Sequence, residues 1–191
     1  MKNIKNLKIK TKEGFEVKNL QRFPSMEWGE EGGLEADVYY KGNFILTLMQ
    51  AGDGGCANTY TQPYYREHMD EIKEAAFSFL KRVETDVYGP NAKHAILAHT
   101  SSKQIDDDDW EQVVIEIEDH YYDTKEANKI FKQGFKAIAV LKKEDHGTLF
   151  WAYRVSDITE EEIRGQLKNT ENGNLIRRVH ILKPAPAVNL L

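Results

Sequence analysis

Leu34-Glu35-Ala36-Asp37-Val38-Tyr39-Tyr40, Lys41-Gly42-Asn43, Phe44-Ile45-Leu46-Thr47-Leu48-Met49-Gln50: the fold of this 191-residue chain turns on how this stretch is read. Two runs rich in β-branched and aromatic residues flank a short polar turn, the pattern of a β-hairpin. Gly42 and Asn43 both tolerate the positive φ that a tight turn between twisted strands requires. Strict alternation sets Phe44, Leu46 and Leu48 on one face and Ile45, Thr47 and Met49 on the other. Both faces are mostly apolar, which predicts a central strand pair covered on both sides.

Working outward, Ala51-Gly52-Asp53-Gly54-Gly55-Cys56 is a glycine loop, and a long helix follows over about residues 64–85. Met69, Ile72, Ala76, Phe79, Leu80 and Val83 recur at helical spacing and form one core-facing stripe. Gly89-Pro90 lies beyond the end of that helix. On the N-terminal side, residues 4–10 and 15–22 read as two short strands around a Glu13-Gly14 turn. An acidic glycine-rich loop, Gly29-Glu30-Glu31-Gly32-Gly33, leads into the hairpin.

The second half is less uniform. Residues 93–100 fit a short strand or a helical turn. Ser101 to Gln104 and Asp106 to Asp109 read as a polar loop. Residues 110–118 fit a helix through Trp110, Val113, Val114 and Ile117, or a strand through Val113, Ile115 and Ile117; their β-branched density favours the strand. Thr124 caps a predicted short helix through Gln133, with Ala127, Ile130 and Phe131 facing in and Gly134 ending it. Ala137 to Leu141 and Leu149 to Val155 predict a second hairpin about Glu144-Asp145-His146-Gly147. Thr159 and Glu162 form a capping box, with Ile158 and Ile163 at the positions of a hydrophobic staple. That helix is expected to end near Asn172-Gly173. Leu175 to Leu182 is the last expected strand, and Pro184 and Pro186 open a tail. The expected fold class is α+β, with largely antiparallel sheets and packed helices. A strand-rich half over 1–90 and an α+β half over 91–191 are expected, either as two domains or as one compact domain.

Composition narrows the function classes. A hydrophobic content of 40% suits an ordinary buried core. A net charge of −5 disfavours non-specific phosphate-backbone binding, so a protein partner is expected before a nucleic acid. No run approaches the ~18 apolar residues of a membrane span. The N-terminus lacks the apolar segment of a secretory signal, which makes the cytoplasm the expected location. A single cysteine, Cys56, allows neither an internal disulfide nor a multi-cysteine zinc site.

No stretch spells a catalytic signature, and no cofactor is expected. Backbone N–H groups around Gly52 to Gly55 are able to form an anion nest, but the loop matches neither the Walker nor the dinucleotide pattern. Cys56 reads as a half-buried structural cysteine. His94, His99 and His120, with Asp106 to Asp109, are the residues a hard-cation or hydrolytic site would draw on. The spacing of a calcium loop is missing, and a solvated charge run accounts for them. Arg177-Arg178 suits a soluble sheet edge. The expected binding surface is Asp53, Tyr60, Tyr64, Tyr65 and Arg66, where glycine mobility adjoins large aromatic contact area.

A strand, a Lys-Gly-Asn turn, a second strand and Gly-x-Gly-Gly-Cys together resemble uncharacterised small proteins encoded by phages, prophages and plasmids, over roughly residues 15–85. The resemblance carries no catalytic residues. It implies a mobile-element setting, in which small acidic proteins often bind and block a host defence factor. The expected function is therefore a non-enzymatic cytoplasmic binding protein, an inhibitor of a bacterial defence system. The alternative is a His/carboxylate hydrolase or nuclease, with or without a metal.

Overall fold

A computed structural model describes residues 2–23, 32–52, 56–88, 105–142, 148–155, 157–167 and 176–182. Strands β1 (Lys2–Lys10), β2 (Phe15–Arg22), β3 (Leu34–Tyr40), β4 (Asn43–Gln50) and β5 (Asn58–Thr61) form one antiparallel sheet in chain order. The β3–β4 hairpin closes one residue earlier than expected. Asn43 pairs with Tyr40 inside the ladder. The loop is then only Lys41 and Gly42, at φ 48° and 86°. Two consecutive left-handed residues give the turn that matches strand twist, so Lys41 takes the conformation expected of Asn43. The Lys41 N–H donates to the Gly14 carbonyl at 2.9 Å, and Glu71 accepts from Lys41 Nζ at 2.8 Å and from the Tyr40 hydroxyl at 3.0 Å.

Strict alternation along β4 is broken by a bulge. Val38 opposes Leu46 but Tyr39 opposes Phe44, so Ile45 is an extra residue. Ile45 and Leu46 are both buried, while Phe44 joins Tyr39 on the opposite side of the sheet. This reverses the expected assignment of Phe44 and Ile45, because a bulge shifts the two-residue period. A second register shift falls at Asn19 on β2, which takes φ 52°. The pair is also not covered equally on both faces. β3 alternates buried and half-buried residues along its whole length. Among the described residues the apolar content of the outer face comes from Tyr39, Phe44 and Met49, none of them fully buried.

Three helices follow: α1 (Pro63–Glu67), α2 (Met69–Tyr88) and α3 (Asp107–Phe131). The single expected helix is split at His68, a C-cap with φ −123°. Ile72, Ala76, Phe79, Leu80 and Val83 are buried as the stripe predicts. Met69 is exposed, because it is the first residue after the break.

Residues 110–118 are helical, which corrects the strand reading. Trp110, Val113, Val114 and Ile117 form a buried stripe, and Trp110 packs against Phe15 of β2 and Tyr65 of α1, ring centroids 5.8 and 6.1 Å away. That burial overrides the β-propensity of the isoleucines and valines. The expected loop at Asp106 to Asp109 is the start of the same helix. Asp106 Oδ1 accepts from the Asp109 N–H and Asp109 Oδ2 from the Asp106 N–H, both at 3.0 Å. Asp107, Asp108 and Asp109 occupy the first turn, where the helix dipole favours negative charge. Thr124 is no cap: it lies inside α3, its hydroxyl buried without a hydrogen-bond partner among the described residues. Past the end of α3, Gly134 has φ 92°, the stop expected there.

The chain divides into two units, Met1–Glu84 with Lys93–Tyr122, and Thr85–Ala92 with Asp123–Leu191. The second contains β6 (Ala137–Lys142), β7 (Thr148–Tyr153), α4 (Glu160–Leu167) and β8 (Ile176–Ile181), the strands forming an antiparallel sheet in the order β7-β6-β8. Ala137, Ala139 and Leu141 pack with Ile163 and Leu167 of α4, and Ile158 and Tyr153 close the cluster. The capping box is formed: Thr159 Oγ1 accepts from the Glu162 N–H at 3.2 Å, and Glu162 Oε2 accepts from the Thr159 N–H at 2.8 Å. Arg178 of β8 pairs with Asp123 of α3. The fold is α+β with antiparallel sheets. No described helix is long and apolar enough to cross a membrane. The expectations for 29–31, 93–104, 144–147, 172–173 and the tail from Pro184 lie outside the described residues.

Candidate functional site

The expected surface begins at β5, an edge strand. The Gln62 N–H donates to the Ile45 carbonyl at 2.8 Å, in the same register as the pairs Thr47–Tyr60 and Met49–Asn58. Backbone bonding alternates along an antiparallel strand. Ala57, Thr59 and Thr61 therefore turn their backbone groups away from β4. Side chains meet this edge. Asp108 accepts from the Ala57 N–H at 3.4 Å, Asp107 from the Thr59 hydroxyl at 2.6 Å, and Arg66 donates to the Thr61 carbonyl at 3.4 Å. Arg66 thus has a local role at the strand edge.

The other expected residues separate. Tyr60 is 58% exposed on the outer face of the sheet. Tyr64 stacks on His68, centroids 4.2 Å apart and planes at 16°. Tyr65 is buried edge-on to Trp110, and burial pushes its hydroxyl pKa up. It belongs to the core, because the helical turn after Pro63 points it inward while Tyr64 stays half-buried. Asp53 lies outside the described residues, as do Gly54 and Gly55. Gly52, at the described end of the loop, has φ 77° and donates its N–H to Gln50 Oε1 at 2.7 Å. A Cβ there would lie 2.3 Å from the Gly33 backbone nitrogen. Its glycine is required by close backbone packing.

Cys56 is exposed, not half-buried. It lines an open groove of about 620 Å³ with Ala57, Lys73, Ile105, Asp106, Asp107 and Asp108. Three of these aspartates are engaged, one in the α3 cap and two at the β5 edge. Among the described residues, no three His, Cys, Asp or Glu side chains converge to hold a metal ion. His120 is half-buried on α3, and His94 and His99 lie outside the described residues.

The outer face of the five-stranded sheet gathers, around the expected Tyr60, side chains that sequence reasoning did not single out. Cross-strand rows run Lys18–Asp37–Thr47–Tyr60 and Glu16–Tyr39–Phe44, with Glu35–Met49–Asn58 beside them. The Tyr39 and Phe44 rings are 5.3 Å apart, and Lys18 Nζ lies 3.7 Å from the Tyr39 ring centroid. Asp37 is held by both oxygens, from Asn19 Nδ2 and Thr47 Oγ1, each at 2.7 Å. Met49 is 40% exposed. The signal in the sequence was weak: this face carries Tyr39, Phe44, Met49 and Tyr60, but the core face carries Phe15 and Tyr40 beside its valine, leucine and alanine. No protein-family model, curated protein or solved structure matches the chain.

Proposed function

We propose that this chain is a non-enzymatic binding protein, and that the outer face of the five-stranded sheet, from Tyr39 and Phe44 to Tyr60, meets its macromolecular partner. The observation that carries this reading is the exposure of Tyr60 and Met49 beside the Tyr39–Phe44 pair. A sheet with one buried face usually presents polar side chains on the other. Rigid rings on such a face supply contact area at little entropic cost. A protein partner fits better than a nucleic acid. Among the described side chains of the face, Lys10 is paired with Glu16 at 3.5 Å and Lys18 stands opposite Asp37, so these two cations are matched by carboxylates. The resemblance to mobile-element proteins adds a setting in which the partner is a host defence factor and binding blocks it.

The test is a pull-down from a bacterial host with wild type, Tyr60→Ala and Tyr39→Ala at matched folded concentration. Each substitution is expected to weaken binding by at least ~1–2 kcal/mol. Equal recovery of partner by all three proteins would remove this face from consideration. An activity abolished by a chelator would turn the question to the hydrolase or nuclease alternative.

A further inference from the structure

An edge strand offers unpaired N–H and C=O groups to any other chain, and natural sheets blunt their edges against this. The two sheets here have four edges, and three are blunted. β1 carries Lys2, Lys5, Lys8 and Lys10. β5 is four residues long and is met by Asp108 and Arg66. β8 carries Arg177, Arg178 and His180. β7, Thr148-Leu149-Phe150-Trp151-Ala152-Tyr153, has no charge, no proline and no glycine. Among the described residues its strand partner is β6 alone.

The hydrogen-bond register identifies the groups left over. The Leu182 N–H donates to the Lys136 carbonyl at 2.8 Å, in register with the pairs Ala137–Ile181 and Ile138–His180. Even-numbered residues of β6 therefore bond to β8 and odd-numbered ones to β7. Ala139 opposes Trp151. Leu149, Trp151 and Tyr153 then bond inward to β6. Thr148, Phe150 and Ala152 turn their backbone N–H and C=O groups to the open edge.

We propose that β7 pairs antiparallel with β7 of a second copy of this chain, about a two-fold axis at Phe150. This register sets Thr148 opposite Ala152 and Leu149 opposite Trp151. Every outward amide from Thr148 to Ala152 is paired, and residues of one sheet face meet residues of the same face. A second copy fits this edge because β7 is uncharged and, about the Phe150 axis, is its own complement in register. Two β7 strands meet with no like charges opposed, whereas the lysine-rich sequence of β1 disfavours its self-pairing. Trp151, 45% exposed on the isolated chain, gains Leu149 of the second copy as its cross-strand neighbour. The product is a six-stranded sheet built on an isologous interface.

Sedimentation velocity across a wide concentration series tests this, with amide exchange as a second readout. The wild type is expected to pass from monomer to dimer, and the Phe150 and Ala152 amides to exchange more slowly as concentration rises. Ala152→Pro removes an outward N–H while sparing the β6–β7 ladder. Trp151→Lys places at the contact a charge that pairing would have to bury. Each is expected to weaken the dimer at least about tenfold, with an unchanged circular dichroism spectrum. If the proline variant fails to fold, the lysine variant and the exchange data decide. A wild type that stays monomeric throughout, or a dimer that the folded variants leave intact, overturns the proposal.

Discussion

Phe79 shows how one residue ties helix to sheet. It is 4% exposed, and its ring lies 6.4 Å from that of Phe15, which in turn contacts Tyr40 and Trp110. Truncation there leaves a cavity between α2 and Phe15 of β2, whose own ring is held by Tyr40 and Trp110. Phe79→Ala is expected to cost about 3–5 kcal/mol, measured by urea denaturation; a loss below about 1 kcal/mol would place Phe79 outside the core. Gly52 makes the opposite kind of contribution, through the atom it lacks. Its left-handed φ and the backbone of Gly33 leave no room for a Cβ. Gly52→Ala is expected to destabilise by about 1–3 kcal/mol. An unchanged urea midpoint, at unchanged slope, would show that the loop relaxes freely.

At the scale of elements, the helix starts are the most legible features. α4 begins with a reciprocal cap, Thr159 with Glu162, and its N-terminal hydrogen bonds hold the Glu162 carboxyl below the usual range. Ile158 and Ile163 then fix the entry of the chain into the same apolar cluster. Thr159→Ala is expected to cost about 0.5–2 kcal/mol, read from the thermal or urea midpoint. α3 uses the same device with Asp106 and Asp109, but four consecutive aspartates hid it among residues that equally suit a solvated loop. The strands show the converse. β2 and β4 were placed correctly in the sequence, yet the bulges at Asn19 and Ile45 were not. A bulge depends on which partner a strand acquires, not on its own residues.

For the whole molecule, the two units carry titrating groups with different acid windows. In the second unit, burial pushes the His180 imidazole down, and neighbouring Arg178 adds to this. A histidine held neutral stabilises the fold fully above its unfolded pKa of about 6.5, and that stability is lost as pH falls from there through the lowered folded value. In the first unit burial alone would raise Glu13, but the hydrogen bonds and charge of Arg82, 2.8 Å away, bring it net below its usual value. Its contribution is lost only as pH falls below about 4.5, through the lowered folded pKa. Urea midpoints are therefore expected to fall between pH 7.5 and 5.5 in the wild type and to fall less in His180→Gln. Equal pH dependence of the two proteins would exclude His180 as the source.

The sequence by itself determined the element types that rest on local chemistry. The β3–β4 hairpin, the apolar stripe of α2, the second hairpin and the capped start of α4 each follow from a period, a turn or a cap a few residues long. The α+β class follows from their order. Tertiary structure decided what depends on a distant partner. Val113 to Ile117 suit strand and helix alike, and only packing of Trp110 on Phe15 and Tyr65 selects the helix. Tyr60, Tyr64 and Tyr65 look equivalent in sequence, yet one lies on the open sheet face, one stacks on His68 and one is buried in the core. Burial is set by what the rest of the chain brings to a position. For that reason the outer face of the first sheet, assembled from β2, β3, β4 and β5, could be read only once those strands were side by side.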